Sequence, residues 1–130
     1  MAAYALVMRL DAEVSVPTGT LGIPRYPAGY YVYVGSAVRG MFARVSRHMR
    51  PEKRLRWHVD YLAQRAQVVA VLCDAGVGAN ECEWARLLGQ VDGASVFPRG
   101  FGSSDCRCPG HLVHFSERPS FAKLVGALYA

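Results

Sequence analysis

At 130 residues, with 52% apolar and 19% charged residues, the chain has the size and composition of one compact domain with one core, which excludes a disordered or fibrous protein. No apolar run approaches the roughly 18 residues a membrane span needs. Residues 1–11 (MAAYALVMRLD) lack a basic flank and a long apolar stretch, so they do not read as a signal peptide, and the expected location is the cytoplasm with no membrane partner. The net charge of +5 and pI of about 9.3 favour a polyanionic partner, because basic residues that neutralise phosphates release condensed counterions.

In chain order, residues 4–10 (YALVMRL) read as a buried strand, and 13–18 are expected to pair back with it. Residues 20–28, rich in Gly and Pro, read as a loop. The strongest strand signal is 30–35 (YYVYVG), aromatic and β-branched throughout. It places Tyr31, Tyr33 and Gly35 on one face and Tyr30, Val32 and Val34 on the other. A helix is predicted over 41–49, where Met41, Phe42, Val45 and Met49 form an apolar stripe. A second helix covers 57–66, and 67–73 (QVVAVLC) is a third buried strand containing Cys73 as a core residue. Over 80–91 a third helix is expected, with Asn80 as N-cap and Glu83 completing a capping box. A last strand at 111–115 and a last helix at 120–129 complete an α/β (α+β) domain with a small central sheet covered by helices.

The charge is concentrated at 39–56 (RGMFARVSRHMRPEKRLR). Here Arg39, Arg44, Arg47, Arg50, Lys53, Arg54 and Arg56 face one acid, Glu52. A phosphate-binding surface is the preferred reading over a solvated helix face with a basic loop. Arg44 and His48, four residues apart, stack on the border of the apolar stripe. That border suits a catalytic pair, anchored by the core yet open to substrate; a snorkelling arginine and a surface histidine are the alternative.

On the third helix, Trp84, Leu87, Leu88 and Val91 define the buried arc. Glu81 falls inside it, whereas Glu83 points away with Gln90. A carboxylate on the core side is costly unless paired or metal-bound, which makes Glu81 the candidate ligand for one Mg²⁺ or Mn²⁺ ion. Cys106-x-Cys108-x-x-His111 has soft-ligand spacing, and Cys82 could complete a tetrahedral zinc set. Cys-x-Cys is not the usual two-residue knuckle, so a capped turn with cysteines packed inside is placed ahead of zinc. In 56–62 (RWHVDYL), His58 and Asp60 stand near a helix N-terminus, where they would bind phosphate, fix a neighbour or complement the dipole.

The segments PAGYYVYVGSA, RVSRHMR, RWHVDYL, ECEWA and GFGSSDCRCPGHL, in that order, resemble the GIY-YIG nuclease superfamily, and within it a branch found alone or fused to endonuclease III-type glycosylases. Tyr33-Val34-Gly35 matches the second strand motif, and Ala2-Ala3-Tyr4 stands at the first with alanine in place of glycine. The resemblance implies a mainly antiparallel sheet flanked by helices and metal-dependent phosphodiester hydrolysis, with DNA in repair or processing as the expected substrate. The longer interval between Tyr4 and Tyr33 implies an inserted hairpin or loop. The resemblance also implies a catalytic set of Tyr4, Tyr33, Arg44 and His48 with Glu81, or else Glu83, on the metal. In that scheme Arg44 balances charge on phosphorus, while a water activated through Tyr4, assisted by Tyr33 or His48, attacks in line. Gly35, Ser36, Arg39, Arg47, Arg50, Lys53, Arg54 and His58 would hold the nucleic-acid backbone. The rival readings are a binding module without catalysis and a zinc-stabilised scaffold that docks a DNA-repair protein.

Overall fold

The structure is a computed structural model that describes residues 3–36, 41–50, 55, 57–74, 80–103 and 106–129; of Phe42 it describes the backbone. Arg39, Lys53, Arg54 and Arg56, expected on the phosphate surface, lie outside the described residues, as does Ala2 of the first strand motif.

Among the described residues the strands are β1 (Ala3–Leu10), β2 (Val14–Ser15), β3 (Arg25–Tyr26), β4 (Gly29–Ser36), β5 (Gln67–Cys73), β6 (Ser95–Val96) and β7 (Leu112–Phe115). The helices are α1 (Met41–Met49), α2 (His58–Ala63), α3 (Glu81–Gly89) and α4 (Phe121–Leu128). Five strands form one antiparallel sheet in the order β5-β1-β4-β7-β6. The expected α+β class and antiparallel sheet are therefore present. None of the described helices is long and apolar enough to cross a membrane.

β1 and β4 pair over their whole lengths, from Ala3↔Ser36 to Leu10↔Gly29. The segment between them was expected to return to β1. Instead Val14–Ser15 pairs with Arg25–Tyr26 as a separate ribbon. Both edges of β1 are occupied, by β4 and β5, so no ladder position is left for a third neighbour. The ribbon lies in the chain between β1 and β4, and β3 falls inside what reads in sequence as a plain loop.

The two-residue period splits the central strands between two cores. Ala3, Ala5, Val7, Val32 and Val34 lie under Trp84, Ala85 and Leu88 of α3 and Leu124 and Leu128 of α4. Tyr4, Leu6, Met8, Tyr31 and Tyr33 lie on the other face with Val59 and Leu62 of α2, and with Met41 and Val45 of α1 packed against them. Each fully buried large apolar side chain contributes roughly 1.5–3 kcal/mol, so both faces are needed for a domain this small.

Candidate functional site

Cross-strand pairing sets Tyr4 directly against Gly35. A Cβ added at residue 35 would land inside the Tyr4 phenol. Gly35 is therefore a seat for this ring, which is the close approach that a missing side chain permits. The phenol is fully buried, and its oxygen lies 2.7 Å from His48 Nε2. Burial pushes its pKa up to about 12; the Arg44 guanidinium, by charge and a side-chain hydrogen bond, pulls it down, and the charges of Glu81 and Asp60 push it up. Since arginine only donates, the phenolic oxygen accepts from Arg44, leaving its proton to point at His48. His48 is itself buried, not the surface histidine of the alternative reading. Expected at the reacting water, Tyr4 instead sits beneath the surface as a protonated phenol, which neither reaches solvent nor acts as a base at neutral pH.

Arg44 lies with Cζ 4.3 Å from the centre of the Trp57 ring, and Arg47 with Cζ 4.2 Å from the same ring. Arg47 also donates to both carboxylate oxygens of Asp60, at 2.8 and 3.0 Å. Asp60 is fully buried and accepts the Trp57 backbone N–H at 2.8 Å. A buried carboxylate is tolerated because a bidentate guanidinium and a backbone donor satisfy it. Arg47, half-buried, is thus engaged by Asp60, where the sequence reading expects it on an open phosphate surface, and it flanks the indole against which Arg44 rests. His58 is likewise committed. Its Nδ1 accepts the Gly102 N–H at 2.9 Å, and its Nε2 lies 3.2 Å from the Thr20 hydroxyl. Burial lowers its pKa, in keeping with a neutral ring that ties two loops together and does not grip phosphate. Arg50 is exposed at the end of α1.

Tyr33, Ser36, Arg44, Trp57, Glu81, Gly102 and Cys106 line one polar depression. Burial raises the Tyr33 phenol well above the ordinary value, with the charges of Tyr4 and Glu81 adding to it, so this hydroxyl keeps its proton. Glu81 opens α3, where Asn80 Oδ1 caps the helix by accepting from the Cys82 and Glu83 N–H groups at 2.8 and 3.2 Å. Glu83 does not close the expected capping box. Its carboxylate turns outward to Arg86, at 3.0 and 2.5 Å, and this removes it as a candidate ligand of the depression.

Behind the depression, Cys82, Cys106, Cys108 and His111 gather, each offering one ligand atom, all within 4.8 Å of one another. The four-residue set could hold one metal ion, and three sulfurs with an imidazole suit zinc. The loop before β7 achieves this by folding on itself: His111 N–H donates to Phe101 O, and Gly100 N–H to Pro109 O, both at 2.7 Å. Gly102, at φ +70°, permits the turn and fits between His111 and Tyr33. Burial raises the Cys82 thiol to about 12, with hydrogen bonds from Cys108 and Cys106 adding to the rise. Burial also opposes charge on His111, yet hydrogen bonds to Glu81 and Cys108 and the charge of Cys106 lift it to about 9. Cys106 moves below its ordinary range: burial raises it, but hydrogen bonds from Cys108 and Cys82 and the charge of His111 outweigh that. A soft cation would take these thiols as thiolates, so its binding would release protons.

Fold and site together define a small α+β domain with a Tyr-Arg-Glu depression backed by a three-cysteine, one-histidine cluster. Over residues 3–129 the sequence matches the family described as a domain of unknown function, DUF123. The chain belongs to that family. No curated protein and no solved structure matches it.

The Trp57 platform and the burial of His48 carried no sequence signal beyond their residue types; Tyr4 lay in an expected buried strand, and Asp60 was a candidate to fix a neighbour without Arg47 being named. The pairing of Glu81 with His111, at 3.5 Å, had half a signal: the helical wheel turned Glu81 inward but named no partner.

Proposed function

We propose that this protein is a metal-dependent endonuclease that hydrolyses phosphodiester bonds in DNA, as its resemblance to GIY-YIG nucleases implies. The reading rests on one observation: Tyr33 from β4, Arg44 from α1 and Glu81 from α3 line the same depression.

The donors suit a hard divalent cation. The Glu81 carboxylate, with the Ser36 and Tyr33 hydroxyls beside it, is an oxygen set, and Mg²⁺ or Mn²⁺ needs one or two carboxylates plus waters and substrate phosphate. Bound by Glu81, the ion would supply Lewis acidity to the phosphoryl and leaving oxygens and acidify water. Arg44, permanently charged and braced against Trp57, would offset the negative charge that grows on phosphorus. Tyr33, protonated, would hold a phosphate oxygen or orient the attacking water through its O–H. Tyr4 and His48 act from below: the phenol oxygen accepts from Arg44 and fixes where the guanidinium points.

The test is a panel of structured DNA and RNA substrates with and without Mg²⁺ or Mn²⁺. Cleavage is expected to require the added ion, and Arg44→Ala to lower it by about 10²–10³-fold while binding persists, the usual loss when one charge-stabilising group is removed. Glu81→Ala should behave alike. The Trp57 ring with its two guanidiniums also suits base stacking and backbone contact without chemistry. Salt-sensitive binding with no ion-dependent cleavage of any substrate would favour that reading and sink the nuclease.

A further inference from the structure

The two nitrogens of His111 face different chemistry. Nε2 lies 3.3 Å from Cys106 Sγ and 3.8 Å from Cys82 Sγ, while Nδ1 lies 3.5 Å from Glu81 Oε2 and 3.3 Å from the Val34 carbonyl oxygen. A tetrahedral zinc with Zn–S near 2.3 Å and Zn–N near 2.0–2.1 Å sets its ligand atoms roughly 3.5–3.8 Å apart. The sulfur–nitrogen distances here already bracket that spacing, and the ring is almost completely buried.

We propose that Cys82, Cys106, Cys108 and His111 form a closed structural zinc site, and that His111, ligating through Nε2, uses Nδ1 to position the Glu81 carboxylate beside the depression. A metal-bound imidazole usually donates its second ring N–H to a carboxylate or carbonyl, and here both kinds of acceptor stand at Nδ1. Four protein ligands leave no open coordination position, so this ion holds structure and performs no hydrolysis. Its leverage comes from placement. Cys82 is in the first turn of α3, next to Glu81, whereas Cys106, Cys108 and His111 belong to the loop that leads into β7. Joining them through zinc fixes the start of α3 against the rim of the depression, where Cys106 is itself a lining residue. Glu81 is then a positioning partner of the zinc histidine as well as the depression's acid. The zinc site stands whether or not the depression cuts phosphodiesters; its consequence for cleavage rests on the nuclease reading.

Metal analysis of the intact protein, produced with zinc in the medium, should find one zinc per chain. Cobalt(II) titrated into the metal-stripped wild-type chain should give thiolate-to-metal charge-transfer absorption and tetrahedral d–d bands, a readout that needs no variant to fold. Cys108→Ser should weaken the charge-transfer band, while Cys73→Ser, in β5, should leave it intact. Glu81→Gln should retain the zinc but lose about 10–100-fold in affinity by chelator competition, the usual effect of removing an outer-shell partner. Absent zinc and absent charge-transfer bands would overturn the site. Zinc binding unaltered in Glu81→Gln would overturn the link to Glu81. Neither result depends on cleavage, so loss of the nuclease reading would appear separately, as an intact zinc site in a protein that cuts nothing.

Discussion

On the side of the sheet covered by α3 and α4, β1 and β4 present Ala3, Ala5, Val7, Val32 and Val34. On the side covered by α1 and α2, the same strands in the same register present Tyr4, Tyr31 and Tyr33, joined by buried His48 and Asp60. The first face gains from burial and asks for no partners. The second buries hydroxyls, an imidazole and a carboxylate, each costly to desolvate unless matched by a hydrogen bond or opposite charge. Here the matches run outward: Asp60 holds Arg47, Arg47 flanks Trp57, and Trp57 braces Arg44 at the depression. Among the strand side chains, the apolar face thus serves stability and the polar face serves stability and site geometry together.

Substitutions on each face can break that contrast. Asp60→Ala carries the largest expected effect, a loss of about 3–5 kcal/mol by denaturant unfolding, because it strands Arg47. It should also reduce the proposed cleavage per folded molecule, since the Trp57 platform loosens. Leu88→Ala, on the apolar face, should cost about 2–5 kcal/mol from lost burial and the cavity left behind. Its cleavage rate per folded molecule should be unchanged; an equal loss of rate in both variants would dissolve the distinction. A smaller effect belongs to His58. Burial holds its folded pKa below the ordinary 6.5, so the unfolded chain takes up this proton first as pH falls. The stability that His58 contributes is whole above about 6.5 and is lost as pH falls toward the folded value. Melting of the wild type between about pH 7 and 5 should therefore decline more steeply than melting of His58→Gln. The smallest effect is Glu83→Gln. Facing Arg86 in solvent, it should leave melting, cleavage and zinc content where they were. A large loss of cleavage there would transfer the proposed metal-binding role from Glu81 to Glu83.

Much of this molecule was legible in its residue order because local physics decides it. The alternation at 30–35 separated Tyr31 and Tyr33 from Val32 and Val34, and the structure keeps them on opposite faces. The three-four spacing of Trp84 and Leu88 turned Glu81 inward and Glu83 out, as their contacts with His111 and Arg86 reflect. The Cys-x-Cys-x-x-His spacing marked a ligand set, but a packed turn was the preferred explanation until Cys82, 24 positions before Cys106, came within reach. The destinations of Arg47, His58 and Tyr4 were likewise hidden. A guanidinium, an imidazole and a phenol have the same formula on a surface or in a core, and the partner that decides between them lies 13 to 44 residues away.

Residue order alone determined the periodic features: which side chains share a face, where the helices start, and that the chain is basic with four thiols. Tertiary structure alone decided which charges meet. Periodicity is set by backbone geometry within a few residues, whereas ion pairs, ligand sets and the burial of polar groups depend on which distant segments the sheet order brings together.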